Sequence, residues 1–242
     1  TSWLSCDHAY AFMTKRTARD CLLWAKPLVG VYDFGSDSVV PSQIATDAAG
    51  NVYVAGIFKG RVDFDPGPDV FVLASDGEYE GDLFVLKLDS QGNFLWAVRA
   101  GNSSATARRV GGLAVDAQGN VVLSGSFPGT VDFDPGEGVY NLTSAGSLDA
   151  FVWRLDMNGL LQWACAAGQS GDDIGGAVAL DAAGNVCTTG KFSGTVDFDP
   201  GPGVSTLTAG SGRNGYVWKL SPDGEFLWAT ALGGSGAVTA QL

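Results

Sequence analysis

Val62–Gly67 reads VDFDPG, and the same six residues return at Val131–Gly136 and Val196–Gly201. Three copies of so specific a run at a spacing of about 65 residues make the chain a repeat protein. A second run precedes each copy: Asp47–Val52, Asp116–Val121 and Asp181–Val186 all read Asp-Ala-x-Gly-Asn-Val. From each of these aspartates to the first aspartate of VDFDPG is 16 residues in every copy. A third marker is a tryptophan followed by alanine at Trp24, Trp96, Trp163 and Trp228. From tryptophan to the next turn aspartate the spacing is 23, 20 and then 18 residues, so this segment accepts insertion as a surface loop does.

Each repeat reads as four strands. Strand A is short and small, as in Gly111–Val115, and ends on the Asp-Ala-x-Gly-Asn turn, where glycine supplies positive φ. Strand B is Val121–Phe127. Strand C alternates, as in Phe84–Leu88 and Phe151–Leu155. A second turn, Asp89–Gly92 or Asp156–Gly159, leads to strand D, as in Phe94–Val98. Between B and C lie VDFDPG and a short apolar run, which together suit a small extra hairpin. Four short antiparallel strands in a unit of this length predict a β-propeller blade. An immunoglobulin-like unit needs more residues, about 90 to 100.

The expected layout is one repeat domain over 10–242 after an unmatched stretch at 1–9. It holds a partial blade at 10–30, blades at about 42–100, 110–167 and 175–232, and the start of another at 233–242. In the partial blade, Phe12 and Lys15 align with Phe84 and Lys87, and the C–D turn is degraded to Thr17–Asp20. The expectation is a piece of a larger ring of about six to eight blades, or a chain that closes its ring with a partner. Open blade edges would also favour self-association.

Composition narrows the function. Hydrophobic residues make up 45% of the 242, enough for a large core, and 35 glycines fit many tight turns. The acids divide into 22 Asp and 4 Glu, a bias toward turns and away from helices. A net charge of −12 is wrong for nucleic acid, which needs a basic face. No apolar run reaches the length of a membrane-spanning helix, so membrane insertion is not expected. Cys165 and Cys187 occupy apolar positions of the repeat, and no CxxC or Cys/His cluster offers a zinc site.

The candidate sites follow from the repeat. In an extended stretch, Asp63 and Asp65 point to one side, as do Asp132 with Asp134 and Asp197 with Asp199. Paired carboxylates repel unless a cation or amide donors compensate them. Two readings stand. In one, each pair contributes to a calcium-type site, completed by carbonyls and water because calcium takes six to eight oxygens. In the other, Asp-Pro-Gly is a turn whose aspartate accepts backbone amides, while the phenylalanine plugs the gap between blades. Asp47, Asp116 and Asp181 read as structural turn residues, and Trp24, Trp96, Trp163 and Trp228 as a repeat core. The long B–C and D–A loops mark their end of the propeller as the expected functional face.

Catalysis is hard to assemble. The one histidine is His8, outside the repeats, so no base serves a nucleophile within the blades. A glycosidase needs only two carboxylates, and the unrepeated acids Glu78, Glu80, Asp172 and Asp173 are the candidates for that alternative, a polysaccharide hydrolase or lyase.

Asp149–Trp163 (DAFVWRLDMNGLLQW), Gly168–Asp172 (GQSGD) and Val178–Val186 (VALDAAGNV) resemble the bacterial β-propeller repeat known as SBBP. The resemblance covers roughly residues 10–242, with VDFDPG as a subtype feature, and departs over 1–9. It implies a bacterial exported or surface protein and carries no catalytic assignment. The reading that results is a non-enzymatic extracellular or cell-envelope module that binds a protein or glycan ligand, stabilised by calcium only where the cation reading of VDFDPG holds.

Overall fold

A computed structural model describes residues 9–16, 18–30, 37–75, 81–101 and 109–233. His8, Glu78, Glu80 and the strand expected beyond Gly233 lie outside them. Every described element is a strand, and no helix among the described residues is long and apolar enough to cross a membrane.

In chain order the strands are β1 (Ala9–Arg16), β2 (Leu22–Gly30), β3 (Ser38–Thr46), β4 (Val52–Lys59), β5 (Arg61–Asp63), β6 (Val72–Ala74), β7 (Asp82–Leu88), β8 (Phe94–Ala100) and β9 (Arg109–Val115). They continue as β10 (Val121–Phe127), β11 (Thr130–Asp132), β12 (Asn141–Thr143), β13 (Asp149–Leu155), β14 (Leu161–Ala167), β15 (Ile174–Leu180), β16 (Val186–Asp197), β17 (Thr206–Leu220) and β18 (Phe226–Leu232). Three four-stranded antiparallel meanders result: β3-β4-β7-β8, β9-β10-β13-β14 and β15-β16-β17-β18. These are the first, second and third blades, preceded by the half-blade β1-β2. The chain is therefore an all-β array of propeller-type blades.

The A strands lie next to one another, β3 against β9 and β9 against β15. Their small residues permit this. A Cβ on Gly112 would stand 2.5 Å from the Val178 amide nitrogen, so only glycine allows the backbones to approach. The middle strands are covered on both faces: β7, β10 and β13 bury every residue. That is why strand C tolerates apolar residues at consecutive positions, as parallel-sheet cores do. In the third blade the covering is one-sided. Tyr216, Trp218 and Leu220 are buried while the alternate residues of β17 are partly exposed.

The extra hairpin forms in every blade, as β5–β6, β11–β12 and, in the third blade, as the continuous extension of β16 and β17. It reaches across the seam to the preceding unit. Val29 pairs with Asp63 and Gly30 with Val62, while Gly101 and Asp132 exchange two backbone hydrogen bonds of 3.2 Å. Behind the hairpin, each blade stacks three aromatic rings against its predecessor. They are Phe58/Phe64/Phe84, Phe127/Phe133/Phe151 and Phe192/Phe198/Tyr216, and ring centroids of the VDFDPG phenylalanine and the strand C aromatic lie 4.9, 5.2 and 5.0 Å apart. Each strand C ring covers a glycine on strand B, as Phe151 does Gly125. The VDFDPG phenylalanine is thus a seam residue, wholly buried in all three copies.

Candidate functional site

The turn aspartates organise their own loops. Asp116 Oδ1 accepts the amides of Gln118 and Asn120, and Oδ2 accepts Asn120 Nδ2. Asp47 and Asp181 repeat the pattern with Asn51 and Asn185. Burial works to raise the Asp47 pKa, but its bonds from Asn51, Tyr53 and Ala49 outweigh it and hold the carboxyl below its usual range. For Asp181 the hydrogen bond from Lys219 is the largest cause, and the carboxyl lies well below the ordinary range. Arg154 reaches Asp116 at 2.7 Å, with both side chains nearly buried.

The VDFDPG carboxylates are also turn ligands. Asp63 Oδ1 accepts the amides of Asp65 and Phe71, and Asp65 Oδ1 that of Gly67. Asp132 takes Asp134 and Tyr140, with Asp134 on Gly136; Asp197 takes Asp199 and Ser205, with Asp199 on Gly201. Among the described residues no three His, Cys, Asp or Glu side chains gather as a metal-ligand group.

The tryptophans do something the repeat pattern alone did not reveal. Three of the four dock on the C–D turn of the following blade. Trp24 Nε1 donates to Ser90 O at 3.3 Å, Trp96 to Met157 O at 3.0 Å and Trp163 to Pro222 O at 2.8 Å. The ring lies on the turn glycine, Gly92, Gly159 or Gly224. Lys15 and Lys87 strengthen two of the seams by donating to Ser90 O and Met157 O. Trp228 has no described blade to meet and is 44% exposed.

Of the unrepeated acids, Asp172 pairs with Arg213 at 2.6 Å. Asp173 is 1% exposed and accepts the amides of Gln169 and Ser193. Burial raises its pKa, as it does that of Asp149, whose Oδ1 is buried without a hydrogen-bond partner. Asp173 therefore ties the D–A loop to β16, and Asp149 ties the B–C segment at Ala145 to the start of strand C.

One shaped site among the described residues lies at the outer rim of the seam between the second and third blades. It is a groove of about 430 Å³. Its walls are Trp163 and Tyr140 from the second blade, the Asp199–Pro202 hairpin tip, and Asp223 and Glu225 of the third blade's C–D turn. The rings are fixed, since Trp163 is hydrogen-bonded to Pro222 and Tyr140 Oη donates to Ala164 O at 3.0 Å. The VDFDPG hairpin folds along the outside of the blade, so B–C and C–D residues expected at opposite ends meet in one place. Trp163 and Asp199 were foreseen as separate candidates; Tyr140, Asp223 and Glu225 were not.

A comparison of the C–D turns would have found the last two. The first two turns begin with Asp89 and Asp156, each of which accepts two turn amides. In the third blade Ser221 does that work, its hydroxyl accepting the amides of Asp223 and Glu225. Acids appear instead where the other copies have Gln91 and Asn93, or Asn158 and Leu160.

No family model matches the chain. It is 27% identical over 223 residues to an uncharacterised WD repeat-containing protein of Acanthamoeba polyphaga mimivirus, a match covering 80% of this chain and 16% of that protein. It is 30% identical over 184 residues to the regulatory protein FlaEY of Caulobacter vibrioides, covering 74% of this chain and 18% of that one. The chain thus spans less than a fifth of either relative. The WD-repeat likeness agrees with the propeller-type blades.

Proposed function

We propose that the chain is a non-enzymatic propeller module for binding and scaffolding, with the outer groove between the second and third blades as its ligand site. One observation carries the reading: the third C–D turn departs from its repeat, and its new acids line the same groove as the fixed Trp163 and Tyr140. The remaining acids at that seam have structural work. The WD-repeat relative supports the same class of role, and the resemblance to SBBP repeats supports an exported or cell-surface location. The test is to present peptide and oligosaccharide arrays while assaying polysaccharides for new reducing ends or unsaturated products. Retention without product supports a binding module; product release that survives purification would replace it with a hydrolase or lyase.

A further inference from the structure

We infer that the groove between the second and third blades accepts a cationic side chain, an arginine of a partner peptide. This rests on the binding-module reading and names the chemistry of its ligand.

Three features of the groove converge on that chemistry. The first is uncompensated charge. Asp223 and Glu225 are exposed, and their carboxylates make no hydrogen bond or ion pair among the described residues. Ser221 accepts the turn amides at the position where the other copies use Asp89 and Asp156, so the turn does not draw on the Asp223 and Glu225 carboxylates. Asp199 adds a third acid at the hairpin tip, and no Lys or Arg lines the groove. Arg154 lies beside Trp163 and Asp223 in the adjoining hollow, with its Nε donating to Gln162 and one Nη to Asp116 while the other Nη has no hydrogen-bond partner, and it makes no ion pair with Asp223.

The second feature is the pair of held aromatic rings. An aromatic face attracts a cation, and a planar guanidinium stacks on indole while still offering donors to carboxylates. Trp163 needs no ordering to present its ring, because Pro222 and Gly224 already hold it.

The third feature is a precedent inside the molecule. At the seam between the first and second blades, Lys87 Nζ sits 5.0 Å from the Tyr53 ring centroid and 5.9 Å from that of Trp96. There the chain supplies its own cation to the seam tryptophan. At the next seam the corresponding residue, Arg154, is turned toward Asp116, and the acids stand open.

The experiment follows the Trp163 indole N–H by NMR, assigned through Trp163→Phe, during titration with acetyl-Gly-Arg-Gly-amide. The same peptide with citrulline in place of arginine keeps the shape and removes the charge. The expected result is a saturable shift with the arginine peptide, weakened by added salt and by about tenfold in the Asp223→Asn/Glu225→Gln variant, with citrulline inert. Both residues are exposed, so the variant should keep the wild-type melting temperature, and that is measured alongside. Equal response to citrulline and arginine overturns the inference, as does no response to either. A Trp163 shift with a neutral oligosaccharide alone overturns it too, yet leaves the binding-module reading standing; silence toward every ligand on the arrays overturns both.

Discussion

The docking of each tryptophan on the next blade can be measured by adding a single methyl group. Gly224 has φ +84, and a Cβ there would lie 2.8 Å from Trp163 Cδ2 and 3.1 Å from two further ring atoms. Gly194 has φ +66 with nothing within 4 Å of its would-be Cβ. Alanine at Gly194 meets only the left-handed backbone, worth about 1 kcal/mol. Alanine at Gly224 meets the same strain and must also displace the ring. Losing the indole hydrogen bond adds about 1 kcal/mol and disturbed packing about another. Gly224→Ala should therefore cost about 3 kcal/mol against about 1 for Gly194→Ala. Urea unfolding followed by far-UV circular dichroism gives both values, with the slopes compared to confirm that like transitions are measured. The Trp163 indole resonance should move only in Gly224→Ala. Equal costs for the two substitutions, or an unmoved resonance, would refute the idea that the indole–turn contact joins the blades.

Three further outcomes are expected. Asp116→Asn leaves the nearly buried Arg154 guanidinium without its carboxylate and should cost about 3 kcal/mol in the same urea assay; a cost below about 1 would contradict the buried pair. Asp132→Ala removes the acceptor for two hairpin amides and should cost about 2 kcal/mol, while Asp132→Asn keeps an acceptor and costs less. A hairpin standing on amides melts alike in calcium and in chelator, and a calcium-dependent rise lost in Asp132→Asn would instead support the cation reading. The third concerns pH. Burial, reinforced by the charge of Asp173, raises the Asp149 pKa above its ordinary value despite amide donors. Its contribution is complete below the ordinary carboxylate pKa and is lost as pH rises through the raised one. Asp149→Asn should therefore gain stability relative to wild type as pH rises above the ordinary carboxylate range, and a pH-independent difference between the two proteins would contradict this.

The blades were legible because their markers are local and periodic. VDFDPG, the turn aspartates and the strand C alternation each act within one repeat, and the hairpin expected between strands B and C is present in all three. The seams were less legible. Trp96 and Met157 are 61 residues apart, and the match between tryptophan and turn glycine is the same at the three described seams. Such a series looks like an internal core until the packing of neighbouring blades is known. It also hides the difference in Trp228, which is set by what lies against it rather than by its local sequence. The groove was hidden by geometry. Asp199 belongs to a B–C hairpin and Asp223 to a C–D turn, and only the folding of the hairpin along the blade's outer edge brings them together. The exchange of Asp156 for Ser221 with new acids at Asp223 and Glu225 was readable, but its meaning depended on which carboxylates the turn consumes.

A seam groove that binds ligand through the acids departing from the repeat should lose that ligand when those acids are neutralised. The most direct test presents wild type and Asp223→Asn/Glu225→Gln side by side to one array of cationic, neutral and acidic peptides with oligosaccharides. The expected result is wild-type retention on arginine-bearing peptides and its loss in the variant, at an unchanged melting temperature. The same retention profile for both proteins would contradict it.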